Sequence, residues 1–437
     1  MKIILAPTPI SGHVNPLLVT ARILLDAGHD VLVTTGSAFR KKVEATGARF
    51  HPLAAGADLD VSDMDATFPE RKTFAPGPPQ LRFDFENLFV NTIPAQFATL
   101  ETILETFPAD LIMSDTLFAG VLPFLLGARA QRPAIAAMGI TCPPLKRDDG
   151  APMWQGLPLA TSDEDLARYR EIAKEVEAGF IGPINALANS ILTRLGASPL
   201  PMPFTEALLL LTDLYLQPSV PSLEFPRHHM PEHLRFIGAL PTLPGGPMPA
   251  EIAAAIAQGK RLVLVTQGTV ANHDLGQLLT PTLQAMAGRD DMLVLATTGG
   301  KPLDEIPGGV PSNAYATTFL PYESVIPHID VLVTNGGYGT LMHALSAGIP
   351  VIAAGLTEDK REVASRLTLS GAGIDLQNDN PSVEMVREAV NALLEKDDYR
   401  LQAGKLAKEL ASYDSRSLIC ELLETLVEAR IPDAMPA

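Results

Sequence analysis

The chain has 437 residues and a net charge of −17, from 33 basic and 50 acidic side chains. Hydrophobic residues make up 46% and charged ones 19%, which excludes intrinsic disorder, and at about 150 residues per domain the length predicts two or three domains. The acidic balance, with no basic run longer than Arg40-Lys41-Lys42, speaks against a nucleic-acid partner, and two cysteines, Cys142 and Cys420, make no disulfide framework and point to a reducing compartment.

The opening apolar run, Met1 to Ala6, meets Pro7 and Pro9 and is shorter than the roughly 7–15 residues of a secretory signal core. Phe118 to Ala128, the most continuous apolar stretch, contains Pro123 and falls short of the ~20 residues a bilayer span needs. A cytoplasmic protein without a membrane span is expected. Ile3-Ile4-Leu5-Ala6 shows no polar alternation, as in a strand buried on both faces. A Pro-, Ser- and Gly-rich loop over 7–16 leads to Leu17, Leu18, Ala21, Leu24 and Leu25, spaced for one helical face and stopped at Gly28. Asp30 to Thr35 is the next strand, completing a βαβ unit whose crossover should be right-handed.

Residues 56–90 break this rhythm with several Pro and a scatter of Phe. Strands resume at Ala109 to Ser114 and Ala134 to Met138, and 217–249, dense in Pro, reads as a connector. A second series follows at Arg261–Thr266, Met292–Ala296, Val331–Thr334 and Val351–Ala354, and from about Ser382 the tail is helical. The expected architecture is α/β, with two doubly wound, Rossmann-like domains facing across a cleft. The first would span 1–220, a linker 221–255 and the second domain 256–412, with a C-terminal helix in 413–437 returning to the N-terminal domain. Such sheets bind ligands beyond the carboxyl ends of their strands, so the cleft is the expected site.

Val331–Thr334 runs into Asn335-Gly336-Gly337-Tyr338-Gly339-Thr340 and then a helix. A Gly-rich turn at a helix N-terminus presents free amides and the positive end of the dipole, an anion site suited to phosphate; a plain tight turn fits the motif equally well. Similar turns follow two other strands, at Gln267-Gly268-Thr269 and at Thr297-Thr298-Gly299-Gly300, and several converging on one edge favour a nucleotide-diphosphate site. In the first domain Ser11-Gly12-His13 follows the first strand. His13 there can face the cleft and accept a proton, or simply pack at the helix start. Asp115 ends a strand that a doubly wound sheet places beside the first, and would orient the imidazole.

Asp58-Leu59-Asp60, with Asp63 and Asp65, has the form of a metal motif but reads as a solvated acidic loop. His228-His229 with Glu232 and His233 lies in the Pro-rich connector without zinc-site spacing, so no metal is expected. Phe68, Phe74, Phe85 and Phe89, with Met138 and Trp154, are either core or the walls of an apolar acceptor pocket.

Taken with their order and spacing, Gly12-His13-Val14-Asn15-Pro16, the stretch Phe319 to Leu376 with Thr334 to Thr340, Gly348-Ile349-Pro350 and Glu358-Asp359-Lys360 make the chain resemble the family-1 glycosyltransferases of GT-B fold. The resemblance is to the bacterial macrolide- and flavonoid-type enzymes that glycosylate natural products, and it covers nearly the whole length. It implies an inverting, metal-independent transfer of a sugar from a UDP- or dTDP-sugar to a hydroxyl of a small apolar acceptor, with no cofactor beyond that co-substrate. His13 matches the general base and Asp115 its carboxylate partner. Phe319 matches the aromatic stacked on the pyrimidine, and the Leu320 backbone the contact to the base edge. Asn335, Gly339 and Thr340 match the diphosphate cradle, with Thr269 reaching it and Gly12, Gly268 and Gly337 beside it. Asp359 and Lys360 match the pair that grips sugar hydroxyls.

Three positions depart from the family pattern. Asn335 stands where His is usual, shifting leaving-group stabilisation towards amides and the helix dipole. His343 replaces the Glu that often holds a uridine ribose, which leaves room for a thymidine nucleotide. Lys360 replaces Gln, a cation that could contact the diphosphate or alter the choice of sugar. A nucleotide-sugar epimerase and a non-catalytic GT-B binding partner fit the same architecture. A homodimer is compatible with the sequence, which carries no signal of oligomeric state.

Overall fold

In the computed structural model, which describes residues 1–61, 63–75, 77–242, 245–268 and 272–430, the strands form two wholly parallel sheets. The first contains β1 (Lys2–Ala6), β2 (Asp30–Thr35), β3 (Arg49–Pro52), β4 (Leu111–Asp115), β5 (Ala134–Met138), β6 (Leu214–Gln217) and β7 (Leu234–Phe236), in the spatial order β3-β2-β1-β4-β5-β6-β7. The second contains β8 (Arg261–Thr266), β9 (Met292–Thr297), β10 (Ala314–Thr317), β11 (Val331–Thr334), β12 (Val351–Ala353) and β13 (Gly373–Asp375), in the order β10-β9-β8-β11-β12-β13. Each sheet reverses its strand order once, between β1 and β4 and between β8 and β11. Crevices at such reversals, past the carboxyl ends of the strands, are where α/β sheets hold ligands.

The unalternating apolar runs follow from burial on both faces. Ile3 and Leu5 join Leu17 and Leu24 of the helix Ser11–Asp26, whereas Ile4 packs with Leu100 and Ile112 on the opposite face. In the second sheet Val263 and Val265 meet Val390 and Leu393, and Leu262 and Leu264 meet Leu341 and Leu345. Fully burying each such side chain contributes roughly 1.5–3 kcal/mol.

The first helix starts at Ser11, earlier than expected, and carries Pro16 inside it. Pro16 has no N–H for the Gly12 carbonyl, but Val14, fully buried, already belongs to the apolar face, and that burial outweighs the missing bond. The Pro-rich stretch 217–249 is more than a connector, since β7 within it is the edge strand of the first sheet. Its three residues, Leu-Arg-Phe, hold an exposed arginine in the middle and make no apolar run. The helix Ala250–Ala257 then packs through Ile252 and Ala255 against the second sheet.

The last described helix, Ser415–Glu428, lies on the first domain, with Ile419 and Leu423 in the cluster of Ile3 and Leu5. Just beyond it, Arg430 pairs with Asp213 at 3.2 Å. The outgoing and returning crossings touch at Gly238 (φ +71°). A Cβ there would stand 2.6 Å from that of Tyr413 and 2.8 Å from the Leu410 carbonyl oxygen, so only glycine fits. Between the domains, buried Arg366 donates to Glu224 of the first crossing (2.9 Å) and to Glu362 of its own helix, Lys360–Ser370 (2.8 Å).

Candidate functional site

Because β1 and β4 are hydrogen-bonded neighbours, with Ala6 opposite Ser114, the residues just past β1 meet the end of β4. His13, in the first turn of its helix, places Nδ1 3.0 Å from Oδ1 of fully buried Asp115. The Leu117 amide donates to the same oxygen (2.7 Å) and the Thr8 amide to the other (2.5 Å). Burial opposes ionisation of Asp115, yet the facing His13 and these two amides together hold its carboxyl below the usual range. An ionised carboxylate only accepts, so Nδ1 carries a proton, and in the neutral imidazole Nε2 is the acceptor.

Phe89 stacks on the His13 ring, centroids 5.9 Å apart and planes at 21°. Phe85 touches Phe89 (4.9 Å), Trp154 (5.9 Å), Phe180 (5.3 Å) and Phe204 (5.9 Å). Three of the expected acceptor residues thus gather beside His13, joined by Phe180 and Phe204, whose positions in remote helices gave no signal. Phe68 and Phe74 instead pack on Phe83, at 6.0 and 4.8 Å. Met138 is not brought to the aromatic group. Ala134, Ala136 and Met138 share one face of β5, and that face packs into the core with Ile3 and Leu5.

On the second sheet the reversal between β8 and β11 draws Gly268 and Asn335 together. The Asn335 side-chain amide donates to the Gln267 carbonyl at 2.5 Å. Gly299 closes on the same turn, since a Cβ there would lie 2.0 Å from the Gly268 carbonyl oxygen. Gly300 lies beside the Phe319 ring, 3.1 Å from its would-be Cβ, and Phe319, 63% exposed, is the most exposed large apolar side chain among the described residues. Leu320, next to it, is half-buried. The helix Tyr338–Ser346 begins with Gly337 as its cap and no side-chain cap bond, which leaves first-turn amides near exposed Gly339 and half-buried Thr340 for another acceptor. His343, one turn along, packs edge-on against Tyr322, and burial lowers its pKa. Gly12 is exposed, with open space where a Cβ would be. Thr269 lies outside the described residues.

Asp359 and Lys360 open the helix Lys360–Ser370. Burial raises the Asp359 carboxyl, which accepts a hydrogen bond from the Thr141 hydroxyl of the first domain. Thr141 was not anticipated, although it shares a signal with the residues that were, a small polar side chain just past a strand. Its loop, 139–160, also carries Trp154 and presses Gly156 (φ +62°) against the same helix, where the Gly156 amide donates to Glu362 at 3.3 Å. One loop therefore links the aromatic group to Asp359.

The acidic and His-rich decoys have local partners. Asp58 accepts from the Ser37 amide (2.7 Å), Asp63 caps a short helix, His228 pairs with Asp148 (2.7 Å), and the His233 ring donates to the Leu209 carbonyl (2.7 Å). Among the described residues no three His, Cys, Asp or Glu side chains gather as metal ligands, and no helix is long and apolar enough to cross a membrane.

Residues 281–426 match the family described as erythromycin biosynthesis protein CIII-like, C-terminal domain. Over 430 residues the chain is 35% identical to the 4'-demethylrebeccamycin synthase of Lentzea aerocolonigenes, covering 98% of this chain and 99% of that protein. It is also 35% identical over 441 residues to UDP-glycosyltransferase 2 of Phaeomoniella chlamydospora, covering 98% and 96%. Among solved structures it is similar to CalG4, the calicheamicin glycosyltransferase, with a TM-score of 0.75 at 20% identity over 99% of each chain. It is similar as well to the glycosyltransferase VinC in complex with dTDP, with a TM-score of 0.67 at 19% identity over 98% of this chain and 100% of that one.

Proposed function

Because the chain belongs to the family-1 natural-product glycosyltransferases of GT-B fold, we propose that it transfers a sugar with inversion from a UDP- or dTDP-sugar to a hydroxyl of a small, apolar, aromatic acceptor. The observation that carries this reading is the His13–Asp115 pair at the first domain's strand reversal, with aromatic rings against the imidazole. The acceptor oxygen attacks the anomeric carbon as its proton passes to Nε2 of His13. The bond from that carbon to the diphosphate oxygen breaks, and the electron pair leaves with the nucleoside diphosphate. Asp115 keeps the imidazole oriented and balances its new charge.

The leaving diphosphate is received by the amides opening Tyr338–Ser346, donors that need no rearrangement as charge develops, with Asn335 beside them. Phe319 stacks on the pyrimidine, and Asp359 accepts from sugar hydroxyls. The chemistry needs no metal, since general base and amide donors supply both halves of the displacement. Two free cysteines, Cys142 and Cys420, fit work in the cytoplasm. The test is product stereochemistry: an α-linked UDP- or dTDP-sugar and a panel of hydroxylated aromatics should give β-glycosides by NMR coupling constants. α-Glycosides would sink the single displacement.

A further inference from the structure

Lys360 is the sole cation in the two segments that face one another here, 334–340 and 355–360, which also contain the carboxylates of Glu358 and Asp359. Its side chain is 4% exposed. A lysine that buried requires a counter-ion, and its ammonium pairs with Glu358 and donates to the Thr357 hydroxyl at 3.1 Å. The stem runs along the Gly-rich turn. A Cβ on Gly355 would stand 2.6 Å from Lys360 Cδ, and one on Gly336 would stand 3.6 Å from Lys360 Cβ. Gly355 therefore leaves room for both the Asn335 carbonyl and the lysine stem, while Gly336 lies at ordinary contact distance from that stem, which places Lys360 beside the turn that opens Tyr338–Ser346. The neighbouring Arg361 is committed elsewhere, donating to the Leu356 carbonyl at 3.0 Å.

The counter-ion is the weaker half of the pair. Glu358 is 49% exposed, so water competes for its carboxylate, and it adopts φ +54°, a left-handed conformation that costs a non-glycine residue free energy. The turn itself offers a diphosphate no formal charge, because Asn335 is neutral. An incoming diphosphate would meet two carboxylates in 355–360 with one cation between them.

We propose that Lys360 exchanges partners, leaving Glu358 for the diphosphate of the donor, so that Glu358 is a resident placeholder for the phosphate charge. This rests on the nucleotide-sugar reading above. The exchange keeps the buried ammonium paired throughout and turns Glu358 out to solvent. In the transfer step Lys360 stays with the departing diphosphate, whose charge grows as the glycosyl bond breaks, and so acts as a catalytic residue as well as a binding one. It supplies the positive charge that Asn335 lacks.

The test is titration calorimetry of free UDP and dTDP, without any sugar, on the wild-type protein, Lys360→Gln and Glu358→Gln at low and high salt. Lys360→Gln should weaken binding roughly tenfold and flatten its salt dependence, whereas Glu358→Gln, by removing the competing anion, should tighten binding about threefold. The half-exposed Glu358 gives an independent arm of opposite sign should Lys360→Gln fold poorly. Unchanged affinity of Lys360→Gln for the free diphosphates, even with weaker binding of the sugar nucleotide, overturns the exchange and assigns Lys360 to the sugar. Weaker binding by Glu358→Gln overturns it too. A wild-type protein that binds neither diphosphate overturns the donor reading together with this one.

Discussion

The Thr141 hydroxyl donates to the carboxylate of Asp359, joining two residues 218 positions apart across the domain boundary. Loop 139–160 is thereby fastened to the second domain at the residue proposed to hold the sugar, while Trp154 in the same loop touches Phe85 at 5.9 Å.

Thr141→Val should remove that bond with little change in volume. Losing a hydrogen bond to a carboxylate costs about 1.5–3 kcal/mol at most, so the melting temperature should drop by roughly 2–4 °C, and the donor KM should rise more than the acceptor KM. A melting curve and both KM values like wild type would show that the bond carries nothing.

His13→Ala should lower kcat by about 10²–10⁴-fold while calorimetry finds donor affinity within about twofold of wild type. Removing the ring also opens space beside Phe89, so the acceptor KM should be measured in parallel. Full turnover on an aliphatic hydroxyl, which is not acidic enough to react unaided, would remove His13 from the role.

Asp115→Asn places a side-chain NH₂ among three donors, the His13 ring and the Thr8 and Leu117 amides, and should destabilise the fold by about 1–3 kcal/mol with a loss of turnover. The acid response carries the sign. The Asp115 carboxyl sits below its ordinary 3.8 in the folded protein, so its stabilisation is present above that pH and is lost as pH falls through the folded value. Wild type should melt higher than the variant at pH 7, and the gap should narrow below about pH 4. A constant gap down to acid unfolding would contradict an ionised, hydrogen-bonded Asp115.

Phe319→Ala should weaken nucleotide binding by about 1–3 kcal/mol, the range for a base stacked on an aromatic, without lowering the melting temperature. The ring is already mostly in water, so the fold loses little when it goes. A variant that melts earlier but binds UDP and dTDP normally would make Phe319 a packing residue.

Elements buried on both faces were readable in advance, since Ile3–Ala6, Arg261–Thr266 and Val331–Thr334 cannot alternate when helices cover each side. The His13–Asp115 pair was readable for a related reason, because a doubly wound order puts the first and fourth strands side by side. Thr141 and Phe180 escaped notice because their partners are set by the path of a loop and by helix docking, neither of which has a period. Pro16 misled through its own propensity, which the burial of Val14 overrides. Of the three-residue strands, β12 is wholly apolar and was legible, whereas β7 and β13 each carry a charged residue and are defined by pairing with a neighbour rather than by composition.

The contact at Gly238 with Leu410 and Tyr413 means that the chain leaves and re-enters the first domain through a single doorway. Residues between those points form an insertion into a host whose final helix is supplied afterwards. A chimera carrying a relative's donor half therefore needs two splices, one near 238 and one near 413, with the native helix Ser415–Glu428 retained. Fusions cut once, in the Pro-rich stretch alone, would leave Ile3, Leu5 and Leu17 covered by a foreign helix shaped for another sheet.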